Sequence, residues 1–403
     1  MAPQRLSTDV LVIGAGPAGA AAARVLAAAG HEVLLVDRCE FPRDKICGDG
    51  LIPDALAALK RLGVATSVLA HSRASSAVRV YAPNGTHVSA TIDLGCVPRQ
   101  RLDALLREAA VSAGARFIAP LALVSALDDG DRVAGAQLRD RRTGATVDVE
   151  ASCTILATGA AVQPLEAFGV CERRAPSAIA ARVYVRVPRE LSASIRHFSI
   201  SYDRRICPGY GWIFPGPDDV FNVGVAYFTD SRRNGTPHNL RDLLARFLAT
   251  FPPARDLMAV SRQLGDVRGA PLRTALTGSA LSRPGLLVVG EAGGLTYSFT
   301  GEGIGKAIES GVIAAEILAS ASPCSRRSAA RDYAATIRAR FSDRFRAYKL
   351  AQDWLAHPAL HDFLAWRGNA GTYVVEQMRE LLLETSDPRS LFSLGGMLKA
   401  LVR

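Results

Sequence analysis

The chain has 403 residues, 49% of them hydrophobic, and carries a formal net charge of +10. This length allows two or three domains with a sizeable core. The basic residues are scattered and no nucleic-acid module is recognisable, which argues against nucleic-acid binding. The excess of positive charge reflects either codon bias or an attraction to anionic lipid or to phosphate-bearing substrates. Seven Cys without a C-x-x-C argue against a disulfide scaffold or a metal site and fit a reducing cytosol.

The first motif is a dinucleotide-binding pattern. Residues 8–13, TDVLVI, predict a buried strand, and they are followed by GAGPAG, an Ala-rich helix and a second strand, HEVLLVD. Gly14 would make the tight turn, Gly16 would let the backbone approach a pyrophosphate, and Gly19 would let helix and strand pack closely. Asp37 ends the second strand about 20 residues beyond the loop, where a carboxylate can bind a ribose hydroxyl.

The same region imitates a targeting segment. Residues 10–30 are apolar enough to resemble a signal peptide or a membrane span. A strand, turn, helix and second strand explain the Gly spacing, whereas a secretion signal leaves it unexplained. We therefore expect a cytoplasmic protein without a transmembrane helix.

Further along the chain, hydrophobic patterns predict a nucleotide-binding domain that is interrupted by β-strands and resumes near residue 285. The predicted elements are a hairpin at 78–92, a helix at 99–114, a hairpin at 132–151, a short buried strand at 154–159, about four antiparallel strands within 178–229, a helix at 239–251, a strand and Gly turn at 285–294, a long helix from 301 to 320, and a largely helical region at 326–403.

The order of these motifs resembles the FAD-dependent family that contains para-hydroxybenzoate hydroxylase, and within it the geranylgeranyl reductase branch. The resemblance spans roughly residues 8–320. The stretches that carry it are GAGPAG with Asp37; PRDKICGDGL at 42–51, similar to P-R-x-K-x-C-G; YGWIFP at 210–215, similar to Y-x-W-x-F-P; and the later GLLVVGEAGG and TGEGIGKAIESG.

The resemblance implies an α/β fold. We expect a Rossmann-like FAD-binding domain of the para-hydroxybenzoate hydroxylase type, interleaved with an antiparallel β-sheet substrate domain and followed by a C-terminal helical segment. The expected segments are 1–75, 96–175 and 266–325 for the FAD-binding domain, 76–95 and 176–265 for the substrate domain, and 326–403 for the helical segment.

The resemblance also implies which residues contact FAD. Gly290 and Glu291 would end a strand beneath the ribityl chain, with Glu291 where the family usually has Asp. The helix opened by residues 300–303 would point its N–H groups at the negatively charged edge of the reduced ring. Arg43 or Lys45 would balance pyrophosphate charge. The expected contacts are Gly14, Gly16, Ala18, Gly19, Asp37, Arg38, Arg43, Lys45, Gly48, Arg99, Thr158, Gly159, Gly290, Glu291, Gly301, Gly303 and Ile304.

The implied reaction is a hydride-type reduction of a carbon–carbon double bond in an isoprenoid or other lipophilic substrate. It also requires a proton donor, for which Cys47, Tyr210 and Tyr297 are candidates. Cys47 either faces the ring or the substrate, or is a small buried hydrophobic residue. Tyr210, Trp212 and Phe214 alternate along one strand and form either a cavity wall opposite the flavin or ordinary β core. The expected catalytic residues are therefore Cys47, Tyr210, Trp212 and Tyr297.

Several alternatives concern the electron donor and the reaction. The sequence contains no second G-x-G-x-x-G, so NAD(P)H would bind transiently, or another reductant would serve. The main alternative function is an FAD-dependent monooxygenase or halogenase that tailors a natural product. Halogenases of this family have W-x-W-x-I-P, which Tyr210 and Phe214 fit less well. A different flavin oxidation, or FAD bound only as a structural or sensory group, is a further alternative.

The C-terminal region carries no recognisable motif. Residues 326–403 mix Arg with aromatic and Leu side chains. Such helices either rest on the inner face of a membrane as a peripheral contact or pack on the FAD-binding domain or a dimer partner.

Overall fold

The computed structural model describes residues 4–229, 239–321 and 328–402. The predicted boundary between residues 325 and 326 lies outside these ranges. The sheets described below show which strands pair, and the predicted domain borders stay predictions.

Two sheets contain the strands of the described residues. The strands are β1 (Gln4–Ile13), β2 (Val33–Val36), β3 (Gly50–Leu51), β4 (Arg73–Tyr81), β5 (His87–Cys96), β6 (Arg116–Ile118), β7 (Leu121–Asp129), β8 (Arg132–Asp140), β9 (Thr146–Leu156), β10 (Ala178–Arg186), β11 (His197–Ser201), β12 (Gly209–Pro215), β13 (Val220–Phe228), β14 (Arg262–Leu272), β15 (Ser282–Arg283) and β16 (Leu286–Val288).

Helices cover both sheets and form most of the C-terminal region. They are α1 (Pro17–Ala28), α2 (Pro53–Arg61), α3 (Ala65–Leu69), α4 (Arg99–Ser112), α5 (Val162–Ala167), α6 (Arg189–Ser194), α7 (Leu240–Thr250), α8 (Pro252–Val260), α9 (Ile304–Ser320), α10 (Ala329–Leu355), α11 (Pro358–Ala370), α12 (Tyr373–Leu382) and α13 (Leu394–Val402).

The first sheet carries the dinucleotide-binding motif. Its strand order is β15-β16-β9-β1-β2-β6, and the β7–β8 hairpin joins it through β9. Strand β1 pairs in parallel with β2 and β9, and β16 pairs in parallel with β9. Because the carboxyl ends of parallel strands meet at one edge, the Gly-rich turn after β1 lies beside the chain segments that leave β9 and β16.

The prediction of a separate short strand at 154–159 is wrong, because the first of these residues continue strand β9, which ends at Leu156. The first half of β9 pairs antiparallel with β8, and its last residues pair in parallel with β16. Strand β1 pairs along both halves. One continuous strand therefore replaces the second strand of the predicted hairpin and the predicted short strand.

The second sheet has the order β14-β10-β13-β12-β11-β4-β5-β3. Its pairs are antiparallel except for β11 with β4, which run in parallel. Residues 178–229 contribute four neighbouring strands, β10 to β13. The predicted α/β fold, with an antiparallel sheet inserted into the nucleotide-binding part, is confirmed.

The C-terminal helices connect the two halves of the molecule. Buried side chains of α10 belong to the core of the first sheet, where Tyr333 and Ile337 pack with residues of α1 and α9. On α12, Val375, Met378 and Leu382 pack against the apolar cluster of β4 and β5. The predicted helical segment is confirmed, and in the described part of the chain no helix is both long and apolar enough to cross a membrane.

Candidate active site

The turn between β1 and α1 leaves almost no space around its backbone. Gly14 has a φ of +104°, and a Cβ at this position would lie 2.4 Å from the Ala157 carbonyl oxygen. A Cβ on Gly19 would lie 1.9 Å from the Gly14 carbonyl oxygen. Helix α1 begins at Pro17 after Gly16, and no side chain caps it. The N–H groups of its first turn are therefore available to an anion.

A chain of charges runs from the end of β2 to α4. Asp37 accepts a hydrogen bond from the Ala15 N–H at 2.9 Å. Arg43 lies 3.5 Å from Asp37 and donates to Asp103 at 3.0 Å. Arg99 donates to both oxygens of the same Asp103, at 2.8 and 3.0 Å. Asp103 is fully buried. It belongs to no recognised sequence motif, but it lies four residues after Arg99 on the same helix, a spacing that predicts an ion pair between the two side chains.

The other side of the groove offers hydroxyl and carboxylate groups. The hydroxyl oxygens of Thr158 and Thr300 are buried without a hydrogen-bond partner. The Glu291 carboxylate lies 3.8 Å from Lys45, and it would lie 3.5 Å from a Cβ on Gly159. A ligand with a diphosphate and a polyhydroxyl chain suits this set of donors and acceptors, because the helix N-terminus and the arginines match phosphate while the polar side chains match hydroxyls. FAD carries both groups, so the residues fit it.

Most of the predicted cofactor residues line one cavity. The residues among them that do so are Gly14, Gly16, Ala18, Asp37, Arg38, Arg43, Lys45, Gly48, Arg99, Thr158, Gly159, Glu291, Gly301, Gly303 and Ile304. Gly19 and Gly290 do not line it. They lie in the packing behind it, where a Cβ on Gly290 would lie 2.9 Å from the Ala18 Cβ.

The PRDKICGDGL loop is fixed to the second sheet through Asp49, which is buried. Its carboxyl group accepts hydrogen bonds from Tyr184 Oη at 2.5 Å and from Asn222 Nδ2 at 2.8 Å. Asn222 also donates to the Cys47 carbonyl at 2.8 Å and accepts from Trp212 Nε1 at 2.9 Å. These bonds hold the loop against β10 and β13, and the bond from Trp212 connects β12 to the same network. Neither Tyr184 nor Asn222 belongs to a motif that the sequence displays.

Asp49 leads to an expected pH dependence of folding. Burial raises the pKa of its carboxyl group to about 6, against the opposing hydrogen bonds from Tyr184 and Asn222. Because this folded-state pKa lies above the unfolded value of about 3.9, the stabilisation is full below about pH 4 and is lost as the pH rises through about 6. At about 1.36 kcal/mol per pKa unit, the loss is about 3 kcal/mol.

Urea unfolding of the wild type and of Asp49→Asn, measured from about pH 4 to 8, checks this expectation. The free energy of unfolding of the wild type should fall relative to that of Asp49→Asn as the pH rises, since only the wild type can ionise at this position. Two parallel pH profiles would contradict the assignment.

Cys47 and Tyr210 both line the cavity. Burial raises the pKa of the Cys47 thiol, and the charge of Arg99 offsets part of that effect. Burial also raises the pKa of Tyr210, and the nearby Glu302 adds to the rise. The Tyr210 hydroxyl donates to the Thr300 carbonyl at 2.7 Å. Both side chains therefore hold their protons at neutral pH.

The structure does not bring Tyr297 to the cavity. Its ring is fully buried and stacks on Tyr348 with centroids 3.9 Å apart. Its hydroxyl donates to Glu384 at 2.8 Å. Trp212, by contrast, lines the cavity together with Tyr210 and Phe214, so the three alternating aromatics form a cavity wall.

The cavity extends well beyond the dinucleotide groove. Its volume is about 680 Å³, and it continues between the second sheet and the C-terminal helices. Strands β4, β5, β11, β12 and β13 supply aliphatic and aromatic side chains to one side, while α11 and α12 supply apolar side chains to the other. The second sheet also contributes Ala180 of β10 to the cavity lining, and this residue pairs with Ala226 of β13 and Ala270 of β14. These three small side chains leave the chamber wide.

Comparisons of sequence place this architecture among known proteins. The chain matches the FAD binding domain family over residues 7–251. It is 34% identical over 324 residues to a menaquinone reductase of Mycolicibacterium smegmatis, an alignment that covers 77% of this chain and 76% of the relative. It is 29% identical over 327 residues to digeranylgeranylglycerophospholipid reductase 2 of Methanosphaera stadtmanae, covering 78% and 79% of the two chains.

Solved structures share the fold. A geranylgeranyl bacteriochlorophyll reductase-like protein of Thermoplasma acidophilum is similar with a TM-score of 0.77 at 23% identity, over 99% of this chain and 96% of that one. A flavin-dependent brominase is similar with a TM-score of 0.72 at 19% identity, over 98% of both chains. Proteins named for different chemistries therefore share this fold. The two sequence relatives, in contrast, are both named reductases. The chain belongs to the geranylgeranyl reductase family of FAD-dependent oxidoreductases.

Proposed function

We propose that this protein saturates carbon–carbon double bonds in the polyprenyl chain of a lipid. The observation that supports this proposal is one continuous cavity that joins the dinucleotide groove to an apolar chamber. Menaquinone and digeranylgeranylglycerophospholipid, which give two relatives their names, both carry polyprenyl chains. A chain of this kind suits a chamber lined by aliphatic and aromatic side chains.

FAD, when bound, would supply two electrons as a hydride equivalent. The protein's own residues bind the cofactor, orient the substrate and exclude water. Arg43, Arg99 and the start of α1 would hold the diphosphate, while Asp37 and Glu291 would accept from hydroxyls. The aromatic wall and the C-terminal helices keep water out of the chamber, which strengthens every electrostatic interaction within it.

Cys47 and Tyr210 would contact the substrate rather than protonate it. Burial raises the pKa of each group, and a proton donor works best when its pKa lies near the operating pH. Tyr210 also directs its hydroxyl to the Thr300 carbonyl. We assign both side chains to orienting the double bond, with Trp212 completing the same wall.

We propose NAD(P)H as a transient reductant, because the sequence offers no second dinucleotide motif. Anaerobic titration of the FAD-loaded protein with NADH and NADPH tests the proposal. Flavin absorbance that bleaches and stays bleached until a polyprenyl lipid is added would support the reductase. Reoxidation by air alone, with a hydroxylated or halogenated product, would favour the monooxygenase or halogenase alternative instead.

We also propose that α13 rests on an anionic lipid surface. Leu394, Leu398 and Val402 expose 78%, 63% and 85% of their surface. Trp366 of the neighbouring α11 is exposed as well, and Arg367 beside it donates to a carbonyl of α13. Residues 388–403 contain three basic residues and no Asp or Glu. Such a helix suits the interface of a negatively charged membrane. Helices α11 and α12 pack against α13 and also line the cavity.

The double variant Leu394→Glu/Leu398→Glu should bind vesicles that contain anionic lipid at least about tenfold more weakly, because two apolar contacts become charged. Co-sedimentation of FAD-loaded protein measures this effect. The matched control is Val260→Glu, which changes an exposed apolar residue on α8. Equal binding by the double variant and the wild type would rule out α13 as the contact.

A further inference from the structure

A buried cluster of charges surrounds Lys306 at the start of α9. Lys306 Nζ lies 2.9 Å from Glu309 and from Glu384, and 3.5 Å from Asp54. Asp54 belongs to the first turn of α2, and Glu384 follows α12. Three separate parts of the chain therefore bring carboxyl groups to one buried amine, and neither cofactor binding nor substrate orientation accounts for them.

Glu302 lies on the cavity side of this cluster. It occupies the turn before α9, between Gly301 and Gly303, and lines the cavity. The residue is half-buried because part of it faces the cavity, whereas its Oε2 atom is buried without a hydrogen-bond partner. The Tyr210 hydroxyl is bonded to the carbonyl of Thr300, two residues earlier. The turn that carries Glu302 therefore contacts the aromatic wall.

We propose that Glu302 donates the proton in double-bond reduction. This inference rests on the proposed function. One alkene carbon takes a hydride from the reduced cofactor, and the other takes the proton of the Glu302 carboxyl group. The two π electrons form one of the new C–H bonds and the hydride pair forms the other. FAD, when bound and reduced, would supply the two electrons that reduce the alkene. Glu302 is left as a carboxylate, which water reprotonates.

The surroundings of Glu302 favour a protonated acid. Burial raises the pKa of Glu302 well above its ordinary value, and the carboxylates of Asp54 and Glu384 add to the rise, while Lys306 opposes it. Burial likewise raises the pKa of Asp54 to about 7. The titratable groups that interact electrostatically with Glu302 are Asp54 of α2, Lys306 of α9, Tyr348 of α10, Glu384 after α12, Tyr210 of β12 and Tyr202 after β11.

A carboxylic acid of this kind is a better donor than the other candidates. The pKa of Cys47 rises from 9.0 and that of Tyr210 from 10.0, so both start far above neutral pH. The carboxyl group starts from 4.5, and an upward shift moves it toward the operating pH, where general acid catalysis is most effective.

Glu302→Gln tests the proposal, since it keeps the shape of the side chain and removes the acid. In single turnovers of reduced, FAD-loaded protein, we expect the variant to reduce the double bond about 10² to 10⁴ times more slowly. FAD affinity and the rate of flavin reduction should stay within about twofold of the wild type. Glu316→Gln is the matched control, because Glu316 lies on α9, the helix that follows Glu302, is exposed and pairs with Arg61 at the surface.

Infrared spectroscopy provides a readout that does not depend on turnover. Protein labelled with ¹³C-glutamate should show a carboxylic-acid C=O band at neutral pH that disappears on ionisation and is absent in Glu302→Gln. Absence of this band in the wild type, or wild-type rates in Glu302→Gln, would overturn the inference while leaving the proposed function intact. A wild type that reduces no polyprenyl lipid, yet shows the band, would overturn the proposed function instead.

Discussion

Replacing Asp103 by Asn is expected to destabilise the protein by about 3–5 kcal/mol, the usual effect of breaking a buried ion pair on one side. Asp103 is fully buried, and its two oxygens bind Arg99 and Arg43. Without the carboxylate, two guanidinium groups remain close together with little compensating charge. A bound diphosphate would restore part of that charge, so saturating FAD should recover part of the lost stability.

Urea unfolding with and without FAD measures this effect. Glu108→Gln is the matched control, because Glu108 lies on the same helix, is exposed and pairs with its neighbour Arg107. A change below about 0.5 kcal/mol in Asp103→Asn, the range of ordinary surface substitutions, would show that the two arginines do not depend on this carboxylate.

Ala180→Trp is expected to lower the turnover of a long polyprenyl lipid by at least about 10²-fold, since a displacement of about 1 Å at the reacting centre costs that much. Ala180 pairs with Ala226 on one side and Ala270 on the other, and all three line the cavity. An indole ring at this position would occupy the chamber where the substrate is proposed to lie. FAD binding and flavin reduction should be unchanged, because Gly14, Gly16 and Asp37, on which the diphosphate and ribose contacts depend, follow strands of the first sheet.

Steady-state rates with long and short prenyl substrates check this expectation, and the shorter substrate should lose less. Ala175→Trp is the control, since Ala175 precedes the same strand and is exposed. Full turnover of the long substrate by Ala180→Trp would show that the chain binds elsewhere.

The dinucleotide part of the site could be predicted from sequence because its signals are local. Gly14, Gly16, Gly19 and Asp37 lie within one strand, turn, helix and strand. The physical demands on a phosphate-binding turn select these residue types at a fixed spacing. The family resemblance extended this prediction to residues near 159, 291 and 301, and most of them line the same cavity.

The remaining parts of the site depend on contacts that no local pattern encodes. Asn222 reaches Asp49 across 173 residues of sequence, and Tyr184 reaches it across 135. The C-terminal helices that close the chamber carry apolar side chains of ordinary type. Sequence spacing also misleads in one case: Tyr297 lies close to the Gly-rich turns in the chain, but its ring is fully buried, stacks on Tyr348 and does not line the cavity.

The proposed reaction adds two hydrogen atoms to a polyprenyl double bond. The most direct measurement is mass spectrometry of a geranylgeranyl-bearing lipid after anaerobic incubation with the FAD-loaded protein and a chemical reductant. We expect a product that is heavier by two hydrogen atoms for each double bond reduced and that forms without oxygen. An unchanged lipid under these conditions, together with gain of oxygen or halogen when air and halide are supplied, would contradict it.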